Sequence, residues 1–425
     1  MLILFLIIPF IFVLRKRTGF LVAILAIGQD FIKILLSLLG VSDVAKSSIA
    51  TLGVGFVLLV VVVYNFHKRP HRSLPINEPR NILLVFFTLL FAALMFFMSK
   101  DSPYQYWGLQ KSIQFSVSAI PFLTLPLLLL SKEEDFKDLL IGFIIIGASL
   151  SILVWFLKFQ QGEVLYQGFR GIRTAGTPGI DLSGVNIDSA IWLARKVGIL
   201  VLASIFFFQD KKFWVKLVKW SLIFFGLTTI AYTGSRAPLL SLVVALILTA
   251  GAMKKKVLLI LTGSFILFLL MIPGDVTDRI FGLVHDLSGL SLSDRGAMER
   301  VGYANEAMAM FLSNPLYGIG TGGFGFWPHN IFLEIASELG LVGLILIGYY
   351  TFILFKIWYF AFKIKITNSF LSYIKFALVF VVYAFLNSLS SGNLGSNEYV
   401  WLSGGILGSA YFVMKRKLLS DGFIS

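Results

Sequence analysis

Apolar runs of about twenty residues recur from one end of this chain to the other, separated by short polar connections. A helix needs roughly 20 apolar residues to cross about 30 Å of hydrocarbon. Twelve segments approach that requirement: 19–40, 48–66, 82–99, 112–131, 138–157 and 188–208, then 215–232, 237–252, 257–273, 331–359, 370–389 and 399–414. A thirteenth run, 1–14, reaches only about 21 Å as a helix, so whether it crosses stays open. Of 425 residues 57% are apolar and 14% charged, too little charge to coat a soluble surface of this size. The expected fold is all-α, a polytopic membrane bundle of about 12–13 helices. A soluble enzyme, a disordered regulator and a secreted mini-domain are excluded.

The net charge of +14 does not point to nucleic acid, because the basic residues form no stripe. They cluster between apolar runs, where positive charge sets orientation. Arg15–Arg17, Lys68/Arg69/Arg72, Lys211/Lys212, Lys254–Lys256, Lys363/Lys365 and Lys415–Lys417 fall in alternate connections, which are expected to face the cytoplasm. The C-terminus would then be cytoplasmic. Cysteine is absent and there are four His, so no disulfide framework, thiolate nucleophile or metal centre is expected.

The intervening connections would be extracytoplasmic, and two are long: 158–187 and 274–330, against a usual 2–8 residues. Four units follow: N-terminal helices 1–157, central helices with Arg-bearing outer loops 158–273, a long outer loop 274–330, and C-terminal helices 331–425. The outer side carries Arg170, Arg173, Arg236, Arg279, Arg295 and Arg300, on the face where Arg is normally depleted. By contrast the first unit offers little chemistry. Its loop 132–138 reads as solvated, and His67 and His71 as topogenic or lipid-facing.

In the long loop, Asp294 can cap a helix from about Arg295 to Ser313, which Asn314-Pro315 stops. Val301, Ala304, Met308 and Phe311 recur at helical spacing. Arg300, in its first turns, either serves the site or pairs with Glu299 or Glu306. Next, Gly318-Ile-Gly-Thr-Gly-Gly323 matches GxGxxG literally. The dinucleotide reading fails, since a helix precedes the glycines and Phe324–Pro328 follow them. A tight, close-packed backbone is expected instead.

Then comes Pro328-His329-Asn330, directly before a long apolar helix. At a helix N-terminus the dipole disfavours a protonated imidazole, so His329 would be a proton acceptor at working pH. The free N–H groups there also favour an anion such as a phosphate. The alternative is that His329 merely caps the helix at the interface. Gly340 and Gly343 would let a neighbouring helix approach closely below it. Arg236, after Ser235 and before Ala237-Pro238, starts a span. It either faces a polar cavity or anion or snorkels to headgroups.

At these residues the sequence resembles the O-antigen ligase and polymerase superfamily of membrane glycosyltransferases, of the GT-C type. His329-Asn330, nine residues, then Gly340-Leu-Val-Gly343 match the ligase pattern of His, a polar residue, nine residues and Gly-x-x-Gly. Arg300 through Asn314-Pro-Leu-Tyr-Gly-Ile-Gly320 is similar to the family's Arg, helix and Asn-Pro-Leu-x-Gly-x-Gly segment, and Ser235-Arg236 to its Ser-Arg. Two departures are visible. Ala304 stands where an aromatic is common, and Arg173…Gly176…Val185-Asn186 lacks the usual proline before Asn.

The resemblance implies a glycan donor on polyprenyl (undecaprenyl) diphosphate in the outer leaflet of a bacterial cytoplasmic (inner) membrane. It implies an acceptor sugar hydroxyl, on lipid A-core or another envelope glycan for a ligase. For a polymerase the acceptor is a further lipid-linked repeat unit. No metal or cofactor is implied. Two permanently charged Arg can stabilise the leaving diphosphate by bidentate hydrogen bonds. Arg236 and Arg300 are the candidates, with Arg173 and Arg295 as lesser ones and Asn186 and Asn330 as further substrate contacts. A general base such as His329 contributes about 10²–10⁴-fold. His285, in the same loop, lacks such a context. Gly318, Gly320, Gly340 and Gly343 form the structural frame. A transporter of lipid-linked sugars is the reading from another class, but it would place charged or broken segments near the membrane midplane.

Overall fold

A computed structural model describes residues 17–28, 74–160, 180–182, 185–187, 190–209, 212–233, 235–249, 295–325, 328–363, 370–390 and 392–420. The expected spans 48–66 and 257–273, the run 1–14, and His67, His71, Arg170, Arg173, Arg279, His285 and Asp294 lie outside them.

The described chain is a helical bundle. Its elements in order are α1 (Thr18–Ala23, continued by a π turn Ile24–Gly28), α2 (Pro79–Met98), α3 (Gln105–Leu129), α4 (Glu133–Gln160), α5 (Ala190–Phe207) and α6 (Phe213–Tyr232). There follow α7 (Arg236–Leu248), α8 (Arg295–Ser313), α9 (Ile331–Lys363), α10 (Leu371–Ser388) and α11 (Glu398–Ser420). A feature not foreseen is a small antiparallel pair, β1 (Ile180–Leu182) and β2 (Val185–Ile187), with Asp181 opposite Asn186. Among the described residues six helices, α2, α3, α4, α6, α9 and α10, are long and apolar enough to cross a membrane. The protein is a multi-pass membrane protein.

The packing explains which apolar residues face where. Without a hydrophobic drive between helices in lipid, close backbone approach and buried polar contacts hold a bundle together. The innermost helix is α11, where every residue from Tyr399 to Met414 is buried. Its Gly404, Gly405 and Gly408 face Tyr350, Leu123 and Asn81, and a Cβ at Gly405 would meet Pro126 at 3.1 Å. Around it, Phe86, Phe97, Val117, Ile152, Phe224, Ile345 and Phe355 point outward and are exposed, as expected of lipid-facing positions.

At one end the residue before α1 and the last turns of α11 meet the starts of α2 and α4. There Arg17 pairs with Asp138 at 2.7 Å, Lys415 with Glu78 at 2.9 Å, and Lys417 with Glu133. The loop 132–138, expected to be merely solvated, is the start of α4. Asp135 is buried and accepts from Thr18 Oγ1 (2.7 Å) and from the N–H groups of Ser131 (2.9 Å) and Lys132 (3.1 Å). This carboxylate satisfies donors that a helix N-terminus leaves open, which hydropathy alone cannot reveal.

Candidate active site

The opposite end gathers the starts of α5, α7 and α9, with α8 and the glycine-rich connection between α8 and α9. The expected helix 295–313 forms with those bounds and stops at Asn314, whose N–H donates to Met310 O at 3.2 Å. The chain then enters 315–325, with positive φ at Gly318 (68°), Gly320 (89°), Gly322 (76°) and Gly325 (69°). Left-handed backbone of this kind is open to glycine at little cost.

What the glycines permit is more specific than a tight turn. Helix α9 is broken at Gly340, which has φ 61° and ψ −154°. In an unbroken helix the N–H groups of residues 341 and 342 would donate to the carbonyls of 337 and 338. Instead Leu341 N–H donates to Pro315 O (2.8 Å) and Val342 N–H to Leu316 O (3.2 Å). The vacated carbonyls of Ser337 and Glu338 accept from Ile319 (2.9 Å) and Gly320 (3.0 Å). The connection is thus laced into the break, and all four orphaned backbone groups are satisfied. A Cβ at Gly340 would stand 2.5 Å from the Leu316 carbonyl, and one at Gly320 2.6 Å from Ser102 N. The expectation that Gly340 and Gly343 admit a neighbouring helix is therefore corrected. Gly340 admits the 315–320 connection, and Gly343 lies against Leu339 and Ile335 of its own helix.

Thr321 fastens the same connection to α2, its N–H to Met98 O (3.2 Å) and its Oγ1 to Met95 O (2.9 Å). His329 follows, half-buried, in the left-handed region at φ 57°, a conformation uncommon outside glycine and strained enough to point to function. The helix cap is Asn330, not His329. Asn330 Oδ1 accepts from Phe332 N (2.9 Å) and Leu333 N (3.2 Å), and its Nδ2 donates to Leu389 O (3.3 Å). The cap of α9 is thus supplied by the neighbour of the histidine.

That imidazole lies beside α8. The Tyr303 ring is 6.2 Å away between centroids, and Tyr303 in turn meets Phe324 edge-on at 6.4 Å. Burial pushes the His329 pKa below its ordinary 6.5, and the Arg300 charge lowers it further. The expected direction holds, but burial and a cation supply causes that helix position alone did not. Arg300 is exposed and His329 half-buried, so an exposed cation acts on a base held deeper.

The other expected site residues are placed as follows. Arg236 is the first residue of α7, after Ser235, whose N–H donates to Thr233 Oγ1 at 3.1 Å. Arg295 is the first residue of α8, and Asn186 lies in β2. The side chains of these three are not described. Arg300 and His329 are brought together. Among the described residues no group of three or more His, Cys, Asp or Glu could hold a metal ion.

Among the described residues three buried cations, Lys111, Arg195 and Lys196, escaped the sequence reading. Arg195, in α5, donates from Nη1 to Asn397 Oδ1 (3.1 Å) and from Nη2 to Asn387 O (2.6 Å), and lies 4.8 Å from the Trp192 ring centre. Lys111, in α3, pairs with Glu334 and with Glu338 of α9. The expected span 112–131 put Lys111 just outside the membrane helix. Because α3 starts at Gln105, Lys111 lies inside it, and the first part of the chain does contribute polar chemistry. The available signal was two Glu four residues apart in an apolar helix, which demand a cation.

Residues 221–348 match a family model described as O-antigen ligase. The match runs from α6 to the second half of α9 and contains Arg236, Arg295, Arg300, the glycine connection, His329, Asn330, Gly340 and Gly343. No curated protein matches the chain.

Proposed function

From a chain that carries this domain of the O-antigen ligase and polymerase superfamily, we propose a membrane glycosyltransferase. It moves a glycan from polyprenyl (undecaprenyl) diphosphate to a sugar hydroxyl at the extracytoplasmic face of a bacterial cytoplasmic membrane. The reaction is ligase-type transfer onto lipid A-core or an equivalent envelope acceptor, by metal-independent, inverting displacement. The observation that carries this reading is the strained His329, neutralised by burial and by Arg300 and relieved of capping by Asn330.

The chemistry follows from these groups. An unprotonated imidazole accepts the proton of the acceptor hydroxyl as its oxygen attacks the anomeric carbon. The C–O bond to the diphosphate breaks on the opposite face, and charge develops on the leaving group. Arg300, and Arg236 from the start of α7, stabilise that charge by charge-assisted hydrogen bonds. Arg173, Arg295, Asn186 and Asn330 are the further substrate contacts.

The test is transfer by purified protein in nanodiscs, without ATP, from a purified polyprenyl-diphosphate glycan. A new glycosidic bond supports the reading. Movement of the lipid-linked sugar across the bilayer with no new bond would replace it with transport. A deletion strain separates ligase from polymerase. Loss of ligation leaves long lipid-linked chains unattached, and loss of polymerisation leaves acceptors capped by single repeat units.

A further inference from the structure

Three ionisable side chains meet where Lys111 of α3 reaches the first half of α9. Lys111 Nζ pairs with Glu334 and reaches both oxygens of Glu338 at 2.6 and 2.7 Å. The three side chains are 1%, 2% and 3% exposed, respectively. Charges held this deep in a membrane bundle are costly and mark function by default. The cluster is tied to α9 through Glu334 and Glu338, so its role is exerted through the piece of helix it holds.

What it holds is a severed piece of helix. Residues 331–339 are cut from the rest of α9 at Gly340, and the hydrogen bonds that would join the halves go to the 315–320 connection instead. Backbone continuity therefore does not set the tilt of this nine-residue piece. Glu334 and Glu338, one turn apart, share a face of it, and both are bound by one ammonium from α3. At the other end of the same piece stand Asn330 and His329.

We infer that Lys111 is a positioning residue for His329: through Glu334 and Glu338 it fixes the half-helix that presents the imidazole to the acceptor hydroxyl. This rests on the reading of His329 as general base. A displacement of about 1 Å by a change remote from the chemistry can cost on the order of 10²-fold in rate. Lys111 lies outside the matched residues 221–348. The N-terminal helices are then more than a membrane anchor for the domain that follows.

The experiment compares four proteins in nanodiscs: wild type, Lys111→Arg, Lys111→Met, and Lys111→Met combined with Glu334→Gln and Glu338→Gln. Each is assayed for transfer kinetics, thermal unfolding and backbone hydrogen exchange. Lys111→Met is expected to lower kcat by about 10–100-fold with donor KM unchanged, and Lys111→Arg to restore most of it. The triple variant removes every charge of this cluster, so it is expected to unfold near the wild-type temperature while its kcat stays low. Exchange should rise in 331–339 and not in 341–363. Wild-type turnover by the triple variant would overturn the inference. So would an unchanged kcat with a raised KM in Lys111→Met, or exchange rising evenly along α9. Should Lys111→Met fail to fold, the arginine and triple variants decide alone. Absence of transfer by the wild type, with exchange behaving as expected, counts against the glycosyltransferase reading and leaves the tie supported.

Discussion

His329 combines three properties that rarely coincide in one residue: a left-handed backbone, partial burial, and a neighbouring cation that keeps the ring neutral. A base of this kind works above its own pKa, which lies below 6.5 here. Turnover should therefore be full at neutral pH and fall only as acid passes through that lowered value. Arg300→Gln removes one of the two causes, so the His329 pKa rises toward its ordinary value. The acid limb of the kcat profile should then move to higher pH, and a limb that stays in place would detach Arg300 from the imidazole. His329→Ala should lower kcat by about 10²–10⁴-fold with lipid-linked donor still bound, as read by a binding assay on the same preparation. Arg300→Ala should weaken donor binding and turnover together. The candidate role of His329 was legible in the sequence, because its motif and its place before a helix are local facts. The partner it acts with was only half legible. Tyr303 reaches it by ring contact at 6.2 Å across twenty-six positions of chain, a relation no spacing rule contains.

At the scale of elements, the glycine motifs of two separate segments prove to be one device. Gly318 and Gly320 come with positive φ into the break that Gly340 opens in α9, and four backbone hydrogen bonds cross between them. Gly340→Ala would force a Cβ to within 2.5 Å of the Leu316 carbonyl in a left-handed conformation. It should destabilise the protein by about 3 kcal/mol and abolish transfer, checked by thermal unfolding beside activity. Asn330→Ala loses a side-chain cap made to two amides and should cost about 1 kcal/mol, a smaller shift in the same measurement. The presence of glycine at each position could be read as a demand for unusual backbone. Which backbone comes against which could not, because insertion of a connection into a broken helix and packing of a helix on a helix require the same small residue.

Across the whole molecule, alternation of basic connections and apolar spans predicts which end of the bundle faces outward. The chain has no cysteine, so single cysteines report directly on this. A cysteine at exposed Tyr317 should react with a membrane-impermeant maleimide in spheroplasts, and one at Ser420 only after lysis. The reverse pattern would invert the topology and move the site to the cytoplasmic face. The order of residues by itself determined a polytopic helical bundle and its helix α8, since hydropathy, capping and glycine spacing act over a few turns of chain. Only the tertiary structure decided that Lys111 belongs with Glu334 and Glu338, that Asn330 and not His329 caps α9, and that the helix below them is broken and stitched. Those outcomes depend on where buried charges and orphaned amides find partners, and the partners lie up to 227 positions apart in the chain. Such pairings are chosen by the cost of leaving a polar group unsatisfied within the bundle, which is a property of the packed molecule and not of any single stretch of it.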